Sequence, residues 1–167
     1  TWTAITDNLP SGTQYDFGIE SLAVDPSHAN TIYLETGMTP ATYDYAKIYK
    51  STDAGSTWTK LTTPTNLEAN GNGANRQFGE RLAVDPNNSS MIYLASINQG
   101  LWKSTNGATT TAGWSQITPV PVGDSADNDG QSFVLFDKGG GTTVVGGQTV
   151  TSVIYVGVWD PGATDGG

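Results

Sequence analysis

The sequence predicts an all-β protein, a β-propeller with about three four-stranded blades of an incomplete ring. Short β-rich runs alternate with turn residues, and the 167 residues include 21 Gly and 8 Pro, which is typical of all-β folds. No segment has convincing helical periodicity. An internal repeat recurs every 50 to 60 residues, a period that fits a propeller blade better than a helical solenoid.

The repeat has two full copies and a weaker third. Three runs of the first copy recur in the second: ESLAVDP at 20–26 as ERLAVDP at 80–86, IYL at 32–34 as IYL at 92–94, and IYKST at 48–52 as LWKST at 101–105. The third copy has FVLFD at 133–137 and VIYVG at 153–157. Each full copy contains four short runs, which we interpret as the antiparallel strands of one blade.

These runs define the expected domain organisation. We expect blade one at residues 18–61, blade two at 79–117 and an incomplete blade three at 131–167. Residues 1–5 match 57–61 and predict the last strand of a preceding blade. A ring usually needs four to eight blades, so we expect open edges that the remaining blades or other protein chains cover.

Composition excludes several classes of function. The net charge is −9, and the seven Lys and Arg form no basic stripe, which argues against nucleic acid and against an anionic membrane surface. There is no Cys, so disulfides and thiolate metal sites are excluded. No cofactor and no metal site are expected. An acidic, aromatic-bearing surface suits a neutral partner, with a polysaccharide or oligosaccharide as the expected one.

The segment 51–58, STDAGSTW, fits the Asp-box pattern Ser-x-Asp-x-Gly-x-Thr-Trp at every fixed position. We interpret Ser51, Asp53, Gly55, Thr57 and Trp58 as structural, because a short acceptor side chain can bind backbone amides in a tight turn. A catalytic role for Asp53 is the disfavoured alternative. In the second copy, an insertion separates STNG at 104–107 from GW at 113–114, which predicts a degenerate box.

With these motifs, the chain resembles glycoside hydrolase family 74, the xyloglucanases. GERLAVDP at 79–86 followed by GLWKST at 100–105 is the most specific part of the resemblance. It implies a secreted, extracellular or cell-surface protein with two seven-bladed propellers facing a xyloglucan cleft. It also implies inverting endo-β-1,4-glucanase chemistry by two Asp residues whose motifs are absent here, so no catalytic residue is expected in this chain, and the segment alone is predicted to be inactive.

Topology predicts which face binds a ligand. In a four-stranded blade the Asp-box turn lies on one face, whereas the loop between strands two and three and the link between blades lie on the other. Long loops on a rigid scaffold commonly carry binding, so the second face is the expected binding surface. The candidate substrate-binding residues on its loops are Tyr15, Asp16, Tyr43, Tyr45, Asn72, Asn75 and Arg76.

Other polar and aromatic residues receive less functional weight. Glu35 is expected to be a solvated loop acid, Arg81 to form a structural pair with Glu80, and His28 to occupy a turn without a role. An acidic cluster is expected to be solvated rather than to bind Ca²⁺; its members are Asp124, Asp127 and Asp129. Four tryptophans are expected in the core, and these are Trp2, Trp58, Trp102 and Trp114.

Two functions remain open from the sequence. The first is a segment of a xyloglucan- or β-glucan-active glycoside hydrolase that forms part of its cleft wall. The alternative is a non-catalytic Asp-box propeller that acts as a carbohydrate-binding, adhesion or structural module of a surface assembly. Flanking sequence would separate the two, because neither requires a catalytic residue in this chain.

Overall fold

The computed structural model describes residues 2–10, 16, 18–37, 45–67, 81–96, 99–118, 120 and 130–159, without the side chains of 131, 132 and 159. Its strands are β1 (Ile19–Val24), β2 (Ile32–Thr36), β3 (Lys47–Ser51), β4 (Thr59–Lys60), β5 (Leu82–Asp85), β6 (Asn88–Ser96), β7 (Gly100–Ser104), β8 (Trp114–Gln116), β9 (Gly130–Phe136), β10 (Thr142–Val145), β11 (Gln148–Thr151) and β12 (Ile154–Trp159). A 3₁₀ turn spans Thr111–Gly113. Within the described ranges no helix is long and apolar enough to cross a membrane.

Each full copy of the repeat folds into one four-stranded sheet. Sheet one has the order β1-β2-β3-β4 and sheet two the order β5-β6-β7-β8, with every neighbouring pair antiparallel. Equivalent residues have equivalent partners: Leu22 stands opposite Leu34 in sheet one, and Leu82 stands opposite Leu94 in sheet two. The two copies therefore share register as well as sequence.

The third copy forms a strand pair interrupted by a hairpin. In sheet three, β9 pairs with β12, as expected for the first two strands of a blade. The Gly-rich insertion between them folds into the separate hairpin β10–β11. Its two-residue turn, Gly146-Gly147, has φ of 58° and 79°, and positive φ at both positions suits a tight hairpin.

The sheets pack face to face through alternate residues of their strands. Ala23, Tyr33 and Ile48 lie on one face of sheet one and join a core cluster with sheet two, whose members there include Leu82, Val84, Ile92, Leu94 and Trp114. Side chains alternate between the two faces of a strand, so the other face of sheet two is free to contact sheet three. Tyr93 on that face meets the Phe136 ring edge-on, with centroids 5.4 Å apart.

The first strands β1, β5 and β9 lie side by side. They border an apolar depression of about 280 Å³, whose lining includes Leu22, Leu82 and Leu135. Consecutive antiparallel sheets stacked around adjacent first strands are the packing of a β-propeller. The predicted all-β, β-propeller fold class is confirmed.

An aspartate that follows or ends the first strand links sheet one to sheet two, and its equivalent links sheet two to the hairpin of the third copy. Asp85, at the end of β5, accepts hydrogen bonds from Thr151 of the hairpin, at 2.9 Å from the backbone N and 2.7 Å from Oγ1. The equivalent Asp25 of sheet one is hydrogen-bonded to Ser89 of sheet two, to the Ser27 amide and to His28. Burial opposes ionisation of Asp25, but these hydrogen bonds outweigh it and hold its pKa below the usual value.

The tryptophan predictions are confirmed at three positions and wrong at one. Trp58 and Trp114 are buried and Trp102 packs against the core. Trp2 is fully exposed, and no strand includes residues 2–5. The match between residues 1–5 and 57–61 therefore did not bury this side chain, because no described sheet lies beside it to cover the ring.

Candidate functional site

The two faces distinguished by sequence lie at opposite ends of the sheets. Strand β3 begins at Lys47, next to the loop between the second and third strands, and ends at Ser51, where the Asp-box segment starts. With a rise of about 3.3 Å per residue, those two positions are about 13 Å apart. We call the end with Lys47 the loop end and the end with Ser51 the turn end.

At the turn end, Ser51 and Asp53 organise the Asp-box segment. Ser51 Oγ accepts hydrogen bonds from the Asp53 and Gly55 amides at 3.2 and 2.8 Å and donates one to Asp53 Oδ1 at 2.8 Å. Asp53 in turn accepts from the amide and the hydroxyl of Thr57, at 2.8 and 2.7 Å. These hydrogen bonds, first from Thr57 and then from Ser51, lower the pKa of Asp53 to about 2.

Every fixed residue of this segment serves the turn or its packing. Gly55 has φ of 90°, and a Cβ there would lie 2.9 Å from Ile5 Cβ, so a side chain fits neither the backbone nor the space. The Trp58 indole donates to the Ile5 carbonyl at 2.7 Å. Asp53 has no acid–base partner among the residues of this turn, and the arrangement is that of a scaffold.

The second copy retains the same geometry despite its insertion. Ser104 Oγ accepts from the Asn106 and Ala108 amides at 3.4 and 2.8 Å and donates to Asn106 Oδ1 at 3.0 Å. The Asn106 amide group donates to Thr110 Oγ1 at 2.7 Å, as Asp53 engages Thr57. The three inserted residues form the 3₁₀ turn that precedes Trp114. The box is degenerate in sequence and intact in structure.

At the loop end, the structure describes two of the seven predicted substrate-binding residues. Tyr45 is 40% exposed, and the amide of the following Ala46 donates to the Leu67 carbonyl at 2.8 Å, which ties this loop to the segment after β4. Asp16 is buried and forms an ion pair with Lys47, so its carboxylate is directed to the protein. The remaining five lie outside the described residues: Tyr15, Tyr43, Asn72, Asn75 and Arg76.

Beside this surface lies a buried charge cluster that the sequence did not predict. Glu35 is only 1% exposed, on β2, and the expectation of a solvated loop acid is wrong. Arg81 pairs with Glu20 of sheet one, Nη2 to Oε2, at 3.2 Å, whereas Glu80 lies outside the described residues. The alternation of β2 carried a usable signal, since Tyr33 and Glu35 share a face that packs on sheet two.

Among the described residues no three His, Cys, Asp or Glu side chains come together as a metal site. The acidic residues Asp124, Asp127 and Asp129 lie outside the described ranges. His28 contacts Asp25 Oδ2 at 3.0 Å and Ser89 Oγ at 3.3 Å. It therefore takes part in the joint between sheets one and two, a role that the sequence reading did not assign.

Comparison with known proteins supports the resemblance over nearly the whole chain. A xyloglucanase of Hypocrea jecorina is 38% identical over 172 aligned positions, which cover 95% of this chain and 20% of that protein. A xyloglucanase of Acetivibrio thermocellus is 35% identical, with 100% of this chain and 21% of that protein covered. The chain thus spans about a fifth of the length of these relatives. No family model matches.

Solved structures agree with the sequence relatives. The GH74 enzyme of Niastella koreensis has 42% identity and a TM-score of 0.71, with 86% of this chain and 20% of that chain covered. The GH74 xyloglucanase of Xanthomonas campestris has 32% identity and a TM-score of 0.77, with 95% and 23% covered. By its fold, the chain is a β-propeller protein. Its relatives and structural neighbours support a xyloglucanase-like segment of glycoside hydrolase family 74.

Proposed function

We propose that the chain is a segment of a secreted xyloglucan- or β-glucan-active glycoside hydrolase, acting outside the cell or at its surface. The likeness to xyloglucanases over 95 to 100% of the chain carries this proposal. The segment contributes part of the wall of the carbohydrate-binding cleft. The catalytic Asp residues of the inverting reaction belong to other parts of the parent protein.

The division between the two ends supports the location of the cleft wall. The turn end uses its polar groups within its own turns, through Ser51 and Asp53 in sheet one and Ser104 and Asn106 in sheet two. The loop end presents Tyr45, whose exposed ring suits stacking on a sugar face. The other predicted residues of these loops share the substrate-binding role. Asp16 does not, because it is buried and pairs with Lys47.

Sheets one and three each leave one apolar face uncovered, which supports further blades or other protein chains as partners. Leu22 and Val24 on sheet one and Leu135 on sheet three are exposed, while their counterparts between sheets are covered. The occupants of both faces are the remaining propeller blades or, in the alternative, other protein chains. A parent protein of this construction places the 167 residues inside a larger ring.

Two assays test the proposal. The 167-residue chain is expected to show no release of reducing ends from xyloglucan, whereas the parent protein hydrolyses it with inversion, followed by NMR of the anomeric proton. Turnover by the chain alone would contradict the placement of the catalytic residues. Binding without turnover by the full parent protein would instead favour the non-catalytic carbohydrate-binding module.

Binding is tested in the parent protein by calorimetry with xyloglucan oligosaccharides. Tyr45→Ala is expected to weaken binding about five- to tenfold, which corresponds to loss of roughly 1 kcal/mol of stacking. Ser56→Ala is the control, because Ser56 is also exposed but lies at the turn end. Equal effects of the two substitutions would contradict a specific role for the loop end.

A further inference from the structure

The joint between sheets one and two contains more buried negative charge than the described positive charge balances. Glu20 and Glu35 both approach Arg81, which precedes β5. The guanidinium donates from Nη2 to Glu20 Oε2 at 3.2 Å. No described residue donates a hydrogen bond to Glu35 Oε2. Glu20 and Glu35 thus share this described guanidinium, and Glu35 itself is closed to water, where an ionised carboxylate without a full set of partners is costly.

The position of Glu35 places this charge directly between the sheets. Glu35 stands opposite Ser21 on β1 and Ile48 on β3, so all three share the face that packs on sheet two. Ser21 Oγ accepts hydrogen bonds from the amides of Arg81 and Leu82, at 3.1 and 3.0 Å. Glu35 therefore borders the hydrogen bonds that attach the start of β5 to β1.

The charged groups around Glu35 come from two directions. Glu20 belongs to β1 and Arg81 to the segment before β5, and these two act on Glu35 electrostatically. Strand β3 places the apolar Ile48 opposite it, while Lys47 stands opposite Thr36, on the other face of sheet one, where it pairs with Asp16. Lys50 also lies on the face of Glu35, opposite Tyr33, with its Nζ 5.3 Å from the centre of the Tyr33 ring. Arg81 is the described cation that acts on Glu35 itself.

We propose that Glu35 makes the contact between sheets one and two depend on pH and so forms a proton-dependent joint. Its protonated carboxyl holds the two sheets together at the loop end, and its ionisation weakens their contact there. Burial raises the pKa of Glu35 to about 7 against the attraction of Arg81, with a further rise from Glu20. The folded protein thus holds a proton that the unfolded chain releases near 4.5. The contribution to stability is full below about pH 4.5, is lost as pH rises towards about 7, and does not recover above it. The joint does not depend on carbohydrate binding.

The first test compares Glu35→Gln with the parent sequence in the full chain. Gln imitates the protonated carboxyl, so the melting temperature is expected to rise by roughly 5 °C at pH 8 and to change by less than about 2 °C at pH 5. Asp7→Asn, at an exposed acid, is the control and is expected to change neither value. A Glu35→Gln variant that is destabilised equally at both pH values would overturn the proposal.

A second measurement titrates Glu35 itself and does not require the Glu35→Gln variant to fold. The sequence has four Glu, so selective ¹³C labelling of Glu side-chain carboxyls gives four signals to titrate. One signal with a midpoint near 7 is expected, and its midpoint should fall in Glu20→Gln, where Arg81 is left to Glu35. Four midpoints near the ordinary value would overturn the proposal.

Hydrogen exchange distinguishes a joint from a merely buried acid. After correction for base catalysis, exchange of the Arg81 and Leu82 amides is expected to accelerate about tenfold or more between pH 5 and 8. The Tyr93 amide, within sheet two, should show no matching change. Because the whole fold also loses stability at pH 8, the Tyr93 amide measures that global loss, and acceleration of the Arg81 and Leu82 amides that does not exceed it would overturn a local joint.

Discussion

Sheets one and two begin with nearly the same strand, yet the two strands lie in different environments. Leu22 and Val24 of β1 are 41% and 47% exposed, whereas the equivalent Leu82 and Val84 of β5 are 2% and 4% exposed. Sheet two has a described neighbour on each side, and sheet one has one. The repeat therefore determines which way a side chain points, and the adjacent sheet determines whether it is buried.

Sheet three shows the same rule from the other side. Val134, equivalent to Leu82, is buried against sheet two, whereas Leu135, on the opposite face of β9, is 53% exposed. Its counterpart Ala23 in sheet one is covered by sheet two. Stability in such a stack is approximately a sum of sheet and interface contributions, so equivalent substitutions should have unequal effects.

The largest expected difference is between Leu82→Ala and Leu22→Ala. Leu82→Ala leaves a cavity between sheets one and two and should lower the free energy of unfolding by about 3 kcal/mol. Leu22→Ala removes a side chain that is already partly solvated and should cost less than about 1 kcal/mol. Urea unfolding of both variants measures the difference, and equal losses would contradict the role assigned to the neighbouring sheet.

The aspartate joints predict the next largest effect. Thr151→Val keeps the shape of the side chain but removes a donor from the buried Asp85 carboxylate, with an expected loss of about 1.5 to 3 kcal/mol. Ser89→Ala at the joint of sheet one should cost about 1 kcal/mol, because Asp25 keeps the Ser27 amide and His28. Thermal unfolding ranks the two variants. A larger loss in Ser89→Ala than in Thr151→Val would contradict the roles assigned to Asp85 and Asp25.

The two turns should contribute about equally to stability, although their sequences differ. Ser51→Ala and Ser104→Ala each remove the hydroxyl that accepts two amides, and each is expected to cost about 1 to 2 kcal/mol. Ser56→Ala, at an exposed hydroxyl of the same turn, is the control and should cost less. A negligible effect of Ser104→Ala alone would show that the insertion weakens the second turn.

The smallest effect is a difference in acid sensitivity between the two turns. The pKa of Asp53 is lowered to about 2 from 3.8, so its contribution is present above about pH 4 and is lost as pH falls through about 2. Asn106 occupies the equivalent position and does not titrate. The Thr57 amide proton should shift between pH 4 and 2 in NMR spectra, the Thr109 amide should not, and Asp53→Asn should abolish the shift.

Much of the fold follows from local sequence. The Pro after each first strand, the alternation of apolar residues and the Ser-x-Asp or Ser-x-Asn start of each turn act within a few residues of one another, and they predicted strands and turns correctly. The insertion before Trp114 hid the second turn, because the sequence pattern requires a fixed spacing whereas the hydrogen bonds of Ser104 need only four residues.

The candidate site was less predictable, because its geometry depends on distant residues. The aromatic and polar composition of the loops predicted that the loop end binds the ligand. Tyr45 is exposed there, as stacking on a sugar would need. Composition did not reveal that Asp16 pairs with Lys47, 31 positions away, or that Arg81 pairs with Glu20 across 61. The sequence gives the charge of each side chain but does not show which opposite charge the fold places beside it.

Local sequence is sufficient to predict stacked antiparallel sheets, two of them four-stranded, with a turn end and a loop end. Strand alternation and turn chemistry are local, and the repeat states them twice. The packing of neighbouring sheets is what exposes Leu22, buries Leu82 and places Glu35 between sheets rather than in solvent. Burial and charge compensation depend on what the neighbouring sheet places opposite a residue, and that sheet lies about sixty residues away along the chain.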